Sequence, residues 1–381
     1  MKIKNIIIII ILGALLANNN YPIFLLHGFM GWGRDELPNH YYWGGQHDLQ
    51  KILKNEDFEV YTLSVGPVSS NWERAIEAYT QIKGGCVDYG EHHAEKYNII
   101  QKPIGKCYDG LYPNWDENNP IHIIGHSQGG VTARMLEYLL TNDFDDEKSE
   151  LLNKKYENYI ASITTISTPH NGTSLSVIVN NKFPTLQKIS AYIGAMNHVF
   201  FKNYYNFDLE HWNLKKNNNE TYYQFIKRIN KSKIKSTKNS ASWDLSIDGS
   251  KAFNKISTIN QTTYYFSYST SFSKPNNNSF KHIPLTKMNY YLKPASRMIG
   301  SNLALNSLWY ENDGIVNTVS MDGPHTQPIK QYQAMPQMGI WQHMGILNYD
   351  HHHILLRKTN NSDTQKIINI YIDHCKLLYS L

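Results

Sequence analysis

The sequence predicts an α/β fold in which a mostly parallel central sheet is covered by helices on both faces. Short apolar runs rich in β-branched residues alternate along the chain with segments that fit helices. Continuously apolar strands are typical of parallel sheets, because such strands are buried on both faces. An active site is then expected beyond the C-terminal ends of the strands. Strands are predicted over 23–26, 59–63, 121–124, 163–167 and 264–268, and helices over 48–54, 70–82, 131–140 and 365–378.

A Gly-x-Ser-x-Gly motif stands where a predicted strand meets a predicted helix. The motif runs from Gly125 to Gly129, directly after the apolar run 121–124 and before the helical segment 131–140. A turn this sharp needs glycines, because side chains there would collide with the neighbouring backbone. The turn raises the hydroxyl of Ser127 to the C-terminal edge of the sheet, where a helix N-terminus favours developing negative charge. Ser127 is therefore the candidate nucleophile.

An early turn is the candidate for binding that negative charge. His27-Gly28 turns out of the predicted strand 23–26, and a turn of this kind can present a backbone N–H group to a substrate carbonyl oxygen. We assign this role to the N–H of Phe29. The second donor is predicted to be the N–H of Gln128, the residue after the nucleophile. Together they would form an oxyanion hole, often the largest single contribution to catalysis of acyl transfer.

The acid and base candidates lie far downstream of the serine. Asp313 lies within the segment 311–316, and His351 follows Asp350. The order serine, aspartate, histidine is one of the known chain orders of a catalytic triad. In such a triad the histidine takes the proton of the serine hydroxyl and returns it to the leaving alcohol. The aspartate holds the imidazole in the required tautomer and stabilises its cation.

Seven stretches carry a resemblance to a known family: YPIFLLHGFMGWGRDE, YYWGG, YTLSVGPVSSNWERA, GGCVDYGEHHAEKY, IHIIGHSQGGVTARML, TTISTPHNGTSL and WYENDGIVNTVSM. They resemble the bacterial true lipases of the staphylococcal and thermoalkaliphilic bacillar type. The resemblance extends from about Tyr21 to Ile354. It implies an α/β-hydrolase fold and a secreted lipase that hydrolyses acylglycerol esters through an acyl-enzyme intermediate, without an organic cofactor.

The resemblance also bears on the site residues. It places the catalytic histidine directly after Asp350, which selects His351 from the three consecutive histidines 351–353. It implies the same set of residues as the motifs do: Ser127, Asp313 and His351 as the triad, and Phe29 and Gln128 as the oxyanion donors.

The motifs leave two alternatives to a lipase open. A carboxylesterase or phospholipase of the same fold would apply the same chemistry to a different ester. A catalytically inactive, hydrolase-fold binding protein is the other alternative, and the complete set of serine, aspartate and histidine counts against it. The expected partner is a lipid or ester substrate at an interface. The net charge of +5 over 381 residues is too small to argue for nucleic acid, and no obligate protein partner is evident.

The chain is predicted to form one hydrolase domain over 18–381, since no linker-like boundary and no repeat interrupts it. The resemblance implies an inserted subdomain at about 70–110 and a lid at about 173–201. A lid would cover the site in water and turn toward lipid at an interface. Apolar residues recur at helical spacing over much of the lid segment, but an ordinary core helix would show the same spacing.

The first 17 residues, 1–17, are predicted to be a signal peptide. A short basic segment precedes an apolar run over 6–16, and Ala17 is the candidate cleavage point. The apolar run is short for a membrane span, so a cleaved signal peptide is favoured over an uncleaved anchor. The protein is therefore expected to be secreted, with a lumenal location as the second choice.

The chain contains three cysteines, Cys86, Cys107 and Cys375. In an oxidising compartment one pair can form a disulfide and one thiol is left over. We favour the pair Cys86 and Cys107, which brackets residues 87–106. Three unpaired thiols are the alternative.

The resemblance implies a structural zinc site, for which this chain has an incomplete set of ligands. The family uses two Asp and two His, and three of these positions are Glu73, His93 and Asp244 here. The second histidine position is Ile99. A structural zinc usually takes four protein ligands. Either His92 or water substitutes for the lost imidazole, or no metal binds and the glutamate and histidine form an ion pair or ordinary polar surface.

A calcium site of the same family is predicted to be absent. Its Glu and Asp ligand positions correspond here to His353 and Lys358, and a carbonyl-donating Gly position corresponds to Lys287. Calcium takes oxygen ligands, typically including carboxylates. An imidazole is a poor substitute, and two lysines add repulsive charge. We therefore expect the loop of His351 to be held by protein contacts alone.

Overall fold

The structure is a computed structural model that describes residues 19–176, 206–214, 217, 219–232, 237–277, 279–301 and 305–381. The predicted signal peptide, 1–17, lies outside the described residues, and so does the predicted lid from residue 177 onward. None of the helices in the described ranges has the length and hydropathy needed to cross a membrane.

The described chain alternates strands and helices. Its strands are β1 (Ile23–Leu26), β2 (Val60–Leu63), β3 (Gly85–Cys86), β4 (Cys107–Tyr108), β5 (Ile121–His126), β6 (Ile160–Ile166), β7 (Tyr264–Thr270), β8 (Ser273–Asn276), β9 (Ser279–Pro284), β10 (Ile329–Gln331) and β11 (Trp341–Leu347). Its α-helices are α1 (Leu49–Lys54), α2 (Asn71–Lys83), α3 (Glu91–Tyr97), α4 (Gln128–Thr141), α5 (Tyr222–Lys231), α6 (Ala241–Asp244), α7 (Ile247–Ile256), α8 (Lys293–Ile299) and α9 (Asn361–Tyr379).

Seven of these strands form a central sheet in the order β10-β11-β7-β6-β5-β1-β2. Every neighbouring pair in it is parallel. The predicted parallel sheet is therefore confirmed. Because all seven strands run the same way, their C-terminal ends meet at one edge, and the loops that follow them can share one site.

Hydrophobic cores lie on both faces of the sheet, as a doubly covered sheet requires. Side chains alternate along β1, so Ile23 and Leu25 join one core while Phe24 and Leu26 join the other. Helices α1 and α9 pack into the first core, and helices α2 and α4 pack into the second. All four β1 side chains are fully buried.

Each predicted strand and helix overlaps an element of the structure, with ends that shift by a few residues. Strands β10 and β11 have no counterpart among the predictions. The sequence of β11, WQHMGIL, contains polar residues and a glycine, and its register with β7 shifts between His343 and Gly345. A strand of that composition near the edge of a sheet shows no continuous apolar run.

The short strands β3 and β4 form an antiparallel hairpin closed by a disulfide between Cys86 and Cys107. The predicted pairing is confirmed, and Cys375 is an unpaired, buried thiol in α9. The predicted insertion, about 70–110, contains this hairpin together with α2 and α3. Helix α2 itself packs into the second core of the sheet. The extent of a separate subdomain stays a prediction.

A buried acid links α4 to β7. The Tyr265 hydroxyl donates to Glu137 Oε2 at 2.6 Å, while Oε1 of that carboxyl has no hydrogen-bond partner. Burial raises the pKa of Glu137 to about 7, against opposing effects of Tyr265, Thr263 and Arg134. The folded chain therefore holds this proton at pH values where the unfolded chain has released it.

This proton should make folding stability depend on pH. Because the folded-state pKa exceeds the unfolded value of 4.5, its contribution is complete below pH 4.5 and is lost as the pH rises to about 7. Glu137→Gln keeps the shape and cannot ionise. Between about pH 5 and pH 8 we expect wild type to lose several degrees more of Tm than this variant. Thermal melts at both pH values measure this difference, and Glu157→Gln, at an exposed glutamate, is the control. An equal fall in Tm for Glu137→Gln and wild type would contradict the prediction.

Candidate active site

Ser127 occupies the sharp turn between β5 and α4. Its backbone has φ 55° and ψ −126°, a conformation that residues other than glycine rarely adopt. A Cβ atom on Gly129 would lie 2.0 Å from the Leu26 carbonyl oxygen, and one on Gly125 would lie 2.5 Å from the carbonyl carbon of Gly129. Only glycine fits at either position. The N–H of Ser127 donates to the Ile166 carbonyl at 2.9 Å, which ties the turn to the end of β6.

The structure brings His351 and Asp313 to this serine. His351 Nε2 lies 3.0 Å from Ser127 Oγ, and His351 Nδ1 lies 2.7 Å from Asp313 Oδ2. All three side chains are buried. Because a carboxylate oxygen accepts, Nδ1 carries the ring proton, and Nε2 is left to accept from the serine hydroxyl. This is the geometry of a nucleophile, a base and an orienting acid.

Hydrogen bonds hold the Asp313 carboxylate in one orientation. Oδ1 accepts from the N–H groups of Ile315 at 3.0 Å and Val316 at 2.9 Å. Oδ2 accepts from the Thr270 hydroxyl at 2.7 Å as well as from His351. Thr270 is the last residue of β7. The acid is therefore fastened to a strand end, although Asp313 itself belongs to a loop.

The predicted oxyanion donors lie on the two segments that border the serine. Gln128 is the first residue of α4, so its N–H has no carbonyl partner one turn earlier in the helix. Gly28, directly before Phe29, comes so close that a Cβ atom on it would lie 2.7 Å from the Ser127 Cβ. The turn that contains Phe29 therefore passes directly beside the candidate nucleophile.

The three consecutive histidines have different surroundings. His351 contacts the serine and the aspartate. His352 Nδ1 lies 3.1 Å from Tyr291 Oη, and His353 Nδ1 lies 3.2 Å from Asp350 Oδ2. Of these contacts, only those of His351 reach the candidate nucleophile.

Sequence reasoning missed a buried chain of hydrogen bonds that joins the loops of the site. The Gly28 N–H donates to the Tyr42 hydroxyl at 2.9 Å, and that hydroxyl lies 2.7 Å from His126 Nδ1. His126 Nε2 lies 3.0 Å from the carbonyl oxygen of His351. A carbonyl only accepts, so Nε2 carries the proton and Nδ1 accepts from the tyrosine. Burial lowers the pKa of His126 well below its usual range, with the nearby His351 and Arg357 adding to the effect, so this ring is neutral.

The three predicted zinc ligands lie around the N-terminal end of α2. His93 Nε2 is 3.1 Å from Glu73 Oε1, which is the ion pair expected without a metal. Asp244 Oδ2 accepts from the Asn71 N–H at 2.5 Å, and Glu73 forms a capping box with Ser70. In the part of the chain that the structure describes, no three His, Cys, Asp or Glu side chains stand together as a metal-binding group.

The residues at the positions that correspond to the family's calcium ligands make contacts of their own. His353 pairs with Asp350, and Lys358 Nζ lies 4.8 Å and 4.9 Å from the ring centroids of Tyr290 and Tyr291. Lys287 is exposed. An imidazole and an ammonium group thus occupy a loop in which a calcium site would need carboxylates.

Residues 19–375 match the family model described as the lipase-like, C-terminal domain. The chain belongs to this family. Lipase 2 of Staphylococcus aureus is 34% identical over 352 residues, which are 87% of this chain and 50% of that protein. The chain therefore spans about half the length of the curated relatives it matches. The predicted resemblance to staphylococcal lipases is confirmed.

Solved structures of related proteins confirm the lipase-type α/β-hydrolase fold. EstA from Clostridium botulinum is 37% identical and superposes with a TM-score of 0.88 over 96% of this chain and 88% of that one. The lipase of Staphylococcus hyicus is 31% identical, with a TM-score of 0.83 over 96% of this chain and 97% of that one. The family relationship thus extends over the whole fold that carries the site.

Removing the Tyr42 hydroxyl from the buried chain of hydrogen bonds should lower the reactivity of Ser127. Tyr42→Phe keeps the ring but leaves the Gly28 N–H and His126 Nδ1 without their partner, at a cost of about 1–3 kcal/mol for each buried group. The turns that contain Gly28 and His126 should then shift. We therefore expect the rate constant for fluorophosphonate labelling of Ser127 to fall about 10- to 100-fold. Tyr156→Phe, which loses a hydrogen bond elsewhere, should keep the wild-type rate. An unchanged rate in Tyr42→Phe would show that this chain of hydrogen bonds does not position the site.

Calcium should have no effect on the stability of this chain. After treatment with EDTA, addition of excess Ca²⁺ at a constant zinc concentration should leave Tm unchanged, because a ligand stabilises only a fold that binds it. Scanning calorimetry with and without Ca²⁺ measures this. A rise of several degrees would contradict the prediction.

Proposed function

We propose that this chain is a lipase-type carboxylic ester hydrolase with Ser127 as its nucleophile. The observation that carries the proposal is the buried series of Ser127 Oγ, His351 and Asp313, joined over 3.0 Å and 2.7 Å at the C-terminal edge of the sheet. Membership of the lipase-like family supports an ester as the substrate.

The first half of the reaction transfers the acyl group to the serine. Ser127 Oγ attacks the ester carbonyl carbon while its proton moves to His351 Nε2. The tetrahedral intermediate then loses the alcohol: the carbon–oxygen bond breaks, and the alcohol oxygen takes the proton from Nε2. The Asp313 carboxylate stabilises the imidazolium in between, since its Oδ2 accepts from Nδ1.

The second half of the reaction releases the acid. A water molecule attacks the acyl carbon and gives its proton to His351 Nε2. The bond to Ser127 Oγ then breaks, and Oγ recovers the proton. Both halves use side chains and water alone, so no organic cofactor is needed.

We assign the oxyanion hole to the backbone N–H groups of Phe29 and Gln128. The close approach of Gly28 to the serine and the position of Gln128 at the start of α4 support this assignment. Each donor of this kind raises kcat by about 10²- to 10³-fold, because it binds negative charge that appears only in the transition state.

We propose acylglycerols as the substrate class. Two of the related proteins are named as lipases, from Staphylococcus aureus and Staphylococcus hyicus. Hydrolysis of emulsified triolein, a dissolved short-chain ester and phosphatidylcholine vesicles at equal protein concentration tests the choice. A preference for triolein supports a lipase, whereas a preference for either of the others makes the chain a carboxylesterase or a phospholipase.

We also propose that the protein is exported and secreted. The basic and apolar N-terminal segments support this, as does the disulfide between Cys86 and Cys107, because disulfides persist in oxidising compartments. N-terminal sequencing of the protein in culture medium tests it, and a product confined to the cytosol would contradict it.

Substitution of the proposed triad should abolish ester hydrolysis while the fold remains. Ser127→Ala and His351→Ala should each lower kcat by about 10⁴-fold or more, because triad members act as a unit. His352→Gln, at the neighbouring histidine, should keep most of the activity. Initial rates on a soluble ester, with circular dichroism as the folding control, measure this. Full activity in Ser127→Ala would refute the mechanism, and loss in His352→Gln without loss in His351→Ala would reassign the base.

A further inference from the structure

Arg357 is a buried arginine in the loop that follows the candidate base, His351. Its exposed fraction is 7%, and a charge at this depth is normally paired with an opposite charge. Within the described ranges, the ion pairs of arginine involve Arg34 and Arg228, and none of them includes Arg357. Among the same residues, the Nε atom of Arg357 has no hydrogen-bond partner. The fold must therefore stabilise this cation by other contacts.

Two aromatic rings provide such contacts. The guanidinium carbon Cζ of Arg357 lies 4.6 Å from the ring centroid of Trp32 and 4.6 Å from that of Tyr42. The two rings stand edge to face, at 87° with their centroids 5.6 Å apart, and the guanidinium contacts both. Its Nη2 also donates to the Tyr42 carbonyl at 3.2 Å. A cation is attracted more strongly to an aromatic face when both are removed from water, and both rings are buried here.

The backbone beside this contact joins the same two segments. The Gly44 N–H donates to the Leu355 carbonyl at 3.2 Å. A Cβ atom on Gly45 would lie 3.0 Å from the Leu356 carbonyl oxygen. Residues 42–45 therefore lie against residues 355–357, and the Arg357 side chain makes the charged contact between them.

Tyr42 connects this contact to the candidate site. Its hydroxyl accepts from the Gly28 N–H at 2.9 Å and donates to His126 Nδ1 at 2.7 Å. Gly28 directly precedes the proposed oxyanion donor Phe29, and His126 directly precedes the proposed nucleophile. A shift of the Tyr42 ring would therefore displace both turns relative to the loop of the proposed base.

The positive charge of Arg357 favours the protonation state that this chain of hydrogen bonds needs. His126 Nδ1 must be unprotonated to accept from the Tyr42 hydroxyl. Burial is the largest cause that lowers the pKa of His126, and the nearby His351 and Arg357 lower it further. A cation disfavours a second positive charge close to it, so Arg357 helps to keep this ring neutral.

We propose that Arg357 is a positioning residue for the proposed ester hydrolysis. Its guanidinium holds the Tyr42 ring, and the Tyr42 hydroxyl in turn holds the oxyanion turn and the nucleophile turn in place against the loop of the proposed base. The proposal rests on the proposed function, because the quantity that Arg357 affects is the reactivity of Ser127.

Steady-state kinetics on a soluble ester test the proposal. Arg357→Met keeps an unbranched apolar side chain but has no charge and no planar group. We expect its kcat to fall about 10- to 100-fold because catalytic groups are displaced, while KM stays within about twofold because substrate does not contact Arg357. Arg134→Met is the matched control, at a buried arginine whose Cζ lies 4.9 Å from the Phe253 ring centroid. This control should keep the wild-type kcat, and circular dichroism checks that each variant is folded.

A double-mutant cycle tests whether Arg357 acts through the Tyr42 hydroxyl. In Tyr42→Phe that connection is already lost, so the addition of Arg357→Met should lower kcat by less than about threefold more. A loss in the double variant that equals the product of the two single losses would overturn the proposal. An unchanged kcat in Arg357→Met would also overturn it.

If Arg357→Met does not fold, Arg357→Lys decides instead, since an ammonium group keeps the charge but cannot stack as a planar guanidinium does. A lower kcat at unchanged KM supports the proposal, and a wild-type kcat overturns it. Wild type and Ser127→Ala are assayed in parallel. Hydrolysis that persists in Ser127→Ala, or that is absent from wild type, refutes the proposed function and this proposal with it. A wild-type kcat in the Arg357 variant beside an inactive Ser127→Ala refutes this proposal alone.

Discussion

The close approach of the end of β1 to the first turn of α4 is the constraint on which the candidate site depends. A side chain at Gly129 would meet the Leu26 carbonyl at 2.0 Å, so the helix can begin this close to the sheet only with glycine there. That proximity forces the sharp turn at Ser127 and its positive φ of 55°. The strain is sustained because buried strands on both sides hold the turn in place. The serine hydroxyl is thereby raised above the sheet edge, where loops from other strands can reach it.

The loops that reach the serine are fixed by buried polar groups and not by apolar packing alone. Thr270 fastens Asp313 to the end of β7, while His126 connects the nucleophile turn to the backbone of His351. Tyr42 extends that connection to Gly28. Thr270, His126 and Tyr42 are each neutral and hydrogen-bonded, so their burial costs little and their geometry is specific. Preorganisation of this kind is what stabilisation of a transition state requires.

A second set of buried charges organises the region around the disulfide. Lys106, next to Cys107, pairs with Glu77 of α2 at 2.5 Å and with Asp208, which belongs to the described segment 206–214. The hydroxyl of Tyr89 also donates to Glu77, at 2.5 Å. A buried ion pair stabilises a fold only when hydrogen bonds satisfy its members, as they do here. Through Lys106, this charge cluster therefore holds the segment that contains Asp208 against α2.

The sequence by itself determined five of the seven strands of the sheet, the sharp turn at Ser127 and the chain order of serine, aspartate and histidine, and it favoured the pairing of Cys86 with Cys107. These features have local signatures in the sequence: apolar runs, glycines at fixed spacing, and stretches that resemble the family. The tertiary structure alone decided that β10 and β11 complete the sheet and that Tyr42 and His126 join the loops of the site. Such features depend on contacts between residues distant in sequence, for example 84 positions between Tyr42 and His126 and 225 between His126 and His351. A polar residue in a loop has the same appearance in a sequence whether it lies in solvent or in a buried network, because only the packing of distant segments gives it a partner or removes its water.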